Sequence, residues 1–292
     1  MRALMRTLIS QGSKILPPFW LKCSMLLILW GLVFFPVYPE LWNTWISNSN
    51  NSHGVLVPLI SGCLLWLKRD ELVNAQIDNF NWGGLILVMS LIVYLLALGG
   101  QVAVLQRAMI VVSLVGLVLY NFGVSVFKIT AFPLLYLVFM IPVPLSIYSV
   151  VAFPLQLFAT DVSRFLIAAV NIPVLQEGNM LYFAQAQLEV AEACSGLRSM
   201  TAFVMLGVLF ASFIDKSWLK RGLLVLSAIP LAIGVNIFRV SGTGILAHFY
   251  GGDVARGFLH GLSGFAVFVV GFVLMLFLYV FLNRSPFKKV EE

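Results

Sequence analysis

From Phe258 to Leu282 the chain carries no Asp, Glu, Lys or Arg, and a stretch of that length and apolarity has few stable fates. Lipid offers no partner to backbone N–H and C=O groups, so a segment crossing it must satisfy them internally as a helix of roughly 20 apolar residues. About eight such stretches are expected, near 20–38, 54–67, 83–100, 102–122, 127–142, 195–213, 221–240 and 258–282. The segment 144–169 is apolar enough to compete for a place among them.

Composition points the same way. Of 292 residues, 61% are hydrophobic and only 10% charged, too few to cover a soluble globule. The expected fold is an all-α integral membrane protein of about eight transmembrane helices, a single polytopic domain over residues 1–292. Its first span, Cys23 to Val37, is followed by Pro39, Glu40 and Trp42 rather than by a small-residue cleavage site, and reads as uncleaved.

Lys and Arg near span ends are retained in the cytoplasm, and this fixes the expected orientation. Arg2, Arg6, Lys14, Lys22, Lys68, Arg69, Lys128, Lys216, Lys220, Arg221, Arg284, Lys288 and Lys289 fall on one side, which is thirteen of the eighteen basic residues. Both termini are therefore expected in the cytoplasm. The net charge of +6 reads as topology and attraction to an anionic leaflet. Nucleic acid is not an expected partner, because no basic face is interleaved with exposed aromatics.

The opposite side receives Glu40 to His53, a turn at Gly99 to Gln101, a long segment over 143–193 and the loop Ala247 to Gly257. Within the long segment, Pro144 to Val170 is apolar but interrupted by Gln156, Asp161, Ser163 and Arg164, which suits a helix that lies at the interface or re-enters the protein. From Asn171 to Ala193, Leu181, Phe183, Leu188 and Val190 recur among small and polar residues, a pattern of strands or an extended connector.

Three reactive side chains reach that same side. Cys194 opens the sixth span, Arg239 closes the seventh and His260 opens the eighth, so 194–282 holds the candidate catalytic helices. Cys23 and Cys63 lie inside apolar spans and read as small hydrophobes. Cys194 stands instead at a predicted helix start before Ser195 and Gly196, where backbone N–H groups and the helix dipole favour a thiolate. A lone thiol at a helix end is more often structural than catalytic, and this setting alone does not decide. Arg239, in Asn236 to Val240, cannot shed its charge and sits on the side the other cations avoid, which favours function over snorkelling. His260, between Gly257 and Gly261, has a side chain suited to proton transfer, or to a hydrogen bond with a backbone carbonyl. Glu192 and Arg198 flank Cys194 and either shape its field or form a solvated rim. No metal or other cofactor is expected, since His53, His248 and His260 lack the helical spacing of metal ligands.

The run Leu188 to Ser199, with Glu192, Cys194, Ser195 and Arg198, resembles the signature of the exosortase/archaeosortase family. Similar matches are Ser52-His53-Gly54, Phe139 to Pro144, Pro154-Leu155-Gln156, Ile172 to Asn179, Asn236 to Val240 and Gly257 to Gly261. The resemblance covers most of residues 50–265. It implies a multi-pass cysteine protease and transpeptidase on the outer face of the bacterial cytoplasmic membrane. Its substrates would be exported proteins bearing a C-terminal tail: a short sorting motif, one transmembrane helix and a basic end. The family's Cys, Arg and His map onto Cys194, Arg239 and His260, with Glu192, Ser195, Arg198, Asn236 and His53 as substrate-binding or supporting residues. The system accompanies exopolysaccharide production in bacteria. The rival reading is a polysaccharide assembly or transport protein without peptidase activity, whose function would survive loss of the three side chains.

Overall fold

A computed structural model describes residues 21, 23–78, 80–184, 186–190, 197–214, 217–251 and 258–284, with backbone alone at 145–147 and 258–263. Ten helices are described: α1 (Cys23–Val33), α2 (Tyr38–Ser47), α3 (Leu56–Leu67), α4 (Arg69–Val73), α5 (Asn81–Gly99), α6 (Ala103–Tyr136), α7 (Leu145–Ala169), α8 (Leu197–Ser212), α9 (Trp218–Tyr250) and α10 (Phe258–Arg284). Five segments among the described residues are long and apolar enough to cross a membrane, or six when α1 and α2, bent by 54° at the break before Phe35, count as one span. The chain is thus a helical, multi-pass membrane protein.

The chain divides into two units, Met1–Ile141 and Pro142–Glu292. In the first, α5 packs along α6. Where separate spans are expected at 102–122 and 127–142, helix runs from Ala103 to Tyr136 with a break at Gly123. Gly123 has φ of 81°, in the region that favours glycine, and a Cβ there would strike the Asp78 carbonyl. Short polar ties close this unit. Ser61 donates to the Pro133 carbonyl at 2.7 Å and the Trp45 indole N–H donates to the Met140 carbonyl at 3.0 Å. Arg107, buried in α6, pairs with Glu40 of α2 at 3.1 Å.

In the second unit α8, α9 and α10 form a stack in which α9 runs opposite to the other two. Its core joins Phe203 and Ala211 of α8, Leu224, Ala228 and Ala232 of α9, and Met275 and Leu282 of α10. Small residues set the approach, as in lipid-embedded bundles. A Cβ at Gly207 would lie 2.9 Å from Met275 Cε and 3.6 Å from Ala228 Cβ, and Gly271 leaves room for the Phe203 ring.

The segment 143–193 combines a helix and strands. β1 (Leu175–Glu177), β2 (Met180–Tyr182) and β3 (Gln187–Glu189) form an antiparallel sheet in that order, with Glu177 opposite Met180 and Leu181 opposite Leu188. The sheet lies where the alternation of apolar residues predicts strands. Leu181, Phe183 and Val190 are buried with Ile167 of α7 and Val240 of α9.

Helix α7 touches the stack at two places. Tyr148 and Ala152 pack on Leu197, the first residue of α8, while Ser163 donates to the Ile237 carbonyl of α9 at 3.4 Å and Ile167 meets Gly244. Helix α7 thus packs against α9 around Ile237 to Gly244, and Tyr148–Ala169 has the length and apolarity of a membrane span.

Candidate active site

Counting residues along the stack locates its upper end. Gly207, Ala228 and Met275 share one level. Ten positions toward the start of α8 lead to Leu197 (207 − 10), ten along α9 to Phe238 (228 + 10) and ten back along α10 to Phe265 (275 − 10). Each helical step rises about 1.5 Å, so these three residues end at similar height.

Arg239 stands at that level on α9, and its side chain reaches across to α10. A Cβ on Gly264 would lie 3.5 Å from Arg239 Nη2 and 3.7 Å from Cζ, so the guanidinium rests on the backbone of Gly264. His260 is four residues before Gly264 on the same helix, and positions four apart share a helix face. The Arg239 side chain therefore lies one turn from the backbone position of His260; the imidazole itself is outside the described residues. Thr243, one turn further along α9, donates its hydroxyl to the Arg239 carbonyl at 2.8 Å.

Asn236 lies three residues before Arg239 and is buried, at 3% exposure, at the same end of α9. Arg198 is the exposed second residue of α8. Cys194, Glu192 and Ser195 lie outside the described residues, immediately before α8. His53 belongs to the first unit, in the short helix Ser49–Val55, beside Gly54 on which the Trp45 ring sits. Its half-buried imidazole is pushed below its ordinary pKa by desolvation.

An apolar groove of about 390 Å³ runs between α9 and α10 beneath this point, lined by Pro230, Gly234, Phe238, Ala266 and Val270, with Arg239 among its lining residues. His248, nine residues beyond Arg239 on α9, rests its ring 6.3 Å from that of Phe183 and has a buried Nδ1 without a hydrogen-bond partner among the described residues. Helix α7 contributes three buried polar side chains, Gln156, Thr160 and Ser163, of which Ser163 bonds to the Ile237 carbonyl of α9. In sequence, Gln156 stood out as an interruption of an apolar run and as part of the Pro154-Leu155-Gln156 match, with no partner indicated. The spacing of these three along α7, four and then three residues, was the available signal of a shared polar face.

The family model described as Transmembrane exosortase (Exosortase_EpsH) matches residues 45–277, which include His53, Cys194, Arg239 and His260. The chain belongs to the transmembrane exosortase family, in general a family of membrane cysteine transpeptidases. Comparison with curated proteins and with solved structures found no match.

Proposed function

We propose that this chain is a membrane cysteine protease and transpeptidase that cleaves the C-terminal sorting tail of exported proteins through a thioester on Cys194. The observation that carries the reading is the seat of the Arg239 guanidinium on Gly264, one helical turn from His260, at the end of the stack where α8 begins. Cys194 precedes Leu197 by three residues, and three residues of chain reach at most about 11 Å. This short tether supports the reading that thiol, guanidinium and imidazole act together.

In the proposed reaction the Cys194 thiolate attacks the scissile carbonyl carbon, and the carbonyl electrons move onto oxygen. Arg239 holds that oxyanion or orients the substrate, lowering the barrier where charge develops. His260 takes the thiol proton and returns it to the leaving amine as the C–N bond breaks. The acyl group remains on sulfur until water or an amine or hydroxyl acceptor attacks and restores the thiol.

Eight spans with both termini in the cytoplasm put this chemistry on the exported face of a bacterial cytoplasmic membrane. Supporting that orientation, Lys220 and Arg221 begin α9 and Arg284 ends α10, at the end of the stack opposite Arg239. Basic residues mark the cytoplasmic side. Arg239 is 21 residues beyond Trp218 (239 − 218), about 32 Å along a helix, close to the ~30 Å of a hydrocarbon core. One continuous membrane domain would then contain both units, with 194–282 as its catalytic part. The substrate is an exported protein anchored by one transmembrane helix with a basic tail, and the groove between α9 and α10 offers apolar surface at the depth of such an anchor. Exopolysaccharide export is the process we assign to it.

Co-expression with a tail-bearing substrate tests the reading, with wild type, Cys194→Ala, Arg239→Ala and His260→Ala compared at matched membrane levels. Loss of processing in all three is expected. Retention in Cys194→Ala would remove the thioester mechanism.

A further inference from the structure

Val190 is the last described residue before the run 191–196 that carries Cys194, and it is held unusually firmly. Its carbonyl accepts from two side-chain amides: Gln156 Nε2 of α7, and Asn179 Nδ2 at 3.3 Å from the turn between β1 and β2. Its own N–H donates to the Asn179 carbonyl at 2.9 Å. Gln156 is 7% exposed and Val190 1%, so these bonds form away from water, where leaving a partner unsatisfied is costly.

The other end of the run is fixed to the same helix. Leu197 packs on Tyr148 and Ala152 of α7. Tyr148, Ala152 and Gln156 are spaced four residues apart and form one face of α7. One helix therefore touches both Val190 and Leu197. A second tie runs from the sheet to α7, where Gln176 Nε2 donates to Asp161 Oδ1 at 2.6 Å.

We propose that Gln156 and Asn179 are positioning residues for the nucleophile: acting through the Val190 carbonyl, they fix where the Cys194-bearing run leaves the sheet and so set the thiol against Arg239 and His260. This role rests on the thioester reading, but the anchoring of the thiol is measurable without substrate. Neither amide touches the reacting atoms. A small displacement of a nucleophile from its attack geometry costs large factors in rate, so a remote clamp of this kind governs turnover more than substrate binding.

The test uses the full chain in a Cys23→Ser/Cys63→Ser background, with Gln156→Leu, Gln156→Glu and Asn179→Ala. Two quantities are read: the pH profile of Cys194 alkylation by a maleimide, and kcat and KM for a tail-bearing substrate per folded molecule. Gln156→Leu removes the donor at similar volume; kcat is expected to fall by about tenfold or more, with KM unchanged and the alkylation profile displaced to higher pH. Gln156→Glu supplies a donor only while its carboxyl is protonated, so its kcat relative to wild type should decline as pH rises, whereas Gln156→Leu, with no donor at any pH, should be low throughout. Asn179→Ala, on a partly exposed turn, is expected to shift the same profile and carries the test if the α7 variants fail to fold. An alkylation profile identical to wild type in the folded variants, or a Gln156→Glu to wild-type ratio constant with pH, would overturn the proposal. Processing by Cys194→Ala would instead end the thioester reading, and the alkylation profile would still decide the anchor.

Discussion

The guanidinium of Arg239 lies against the backbone of Gly264 at ordinary van der Waals distance, 3.5 Å from where a methyl group would sit. An alanine at 264 would fit beside it, whereas a larger side chain would occupy the space of the guanidinium. We expect Gly264→Ala to keep most tail processing and Gly264→Leu to lose it by about tenfold or more, with both proteins folded. Processing rates at equal levels of detergent-extracted protein check this; equal activity in the two variants would show that Arg239 does not need its seat.

Arg107 of α6 and Glu40 of α2 form an ion pair between distant helices, with Arg107 buried and Glu40 largely exposed. The buried partner sets the cost of breaking it, because among the described residues Arg107 Nε lacks a hydrogen-bond partner, while Nη2 bonds to Glu40 and Thr44 Oγ1. Glu40→Ala should destabilise the protein by about 1–3 kcal/mol. Pairing it with Arg107→Met should return part of that loss, as a double-mutant cycle of thermal unfolding in detergent would measure.

Gly123 combines positive φ with the Asp78 carbonyl at its Cα face. Gly123→Ala should cost at least about 1–2 kcal/mol from left-handed backbone alone, with the steric conflict added. A melting temperature equal to that of wild type would contradict this account of the break in α6.

His53 titrates below its ordinary pKa because burial disfavours the imidazolium. The unfolded chain then binds the proton at higher pH than the folded one, so stability should fall as pH drops below about 6.5 and be unaffected above it. His53→Gln should flatten that dependence. Unfolding midpoints measured across the acid range for both proteins provide the comparison.

Much of this arrangement was legible in sequence, for physical reasons that differ from residue to residue. Arg239 drew notice as a charge that cannot be neutralised within a long apolar run. The alternation of Leu181, Phe183, Leu188 and Val190 anticipated a sheet with a buried face, and the apolar length of 258–282 anticipated α10. Pairings across long sequence separation were not legible. Nothing local to Glu40 or Arg107, 67 residues apart, announces that they meet. The same holds for Gln156 and Val190, 34 residues apart. The break at Gly123 falls where the sequence divides into the stretches 102–122 and 127–142, although nothing local shows that a single residue of non-helical backbone makes it.

The central claim is that the Cys194 sulfur and the His260 side chain meet at the end of the α8–α9–α10 stack. It is tested most directly by cross-linking in the Cys23→Ser/Cys63→Ser background, using a short bis-methanethiosulfonate and placing the second thiol by His260→Cys or, at the far end of α10, by Leu282→Cys. Efficient intramolecular linkage of Cys194 in the His260→Cys protein and none in the Leu282→Cys protein is the predicted result. Linkage in the Leu282→Cys protein, or failure in the His260→Cys protein when both thiols react singly with a monofunctional reagent, would contradict it.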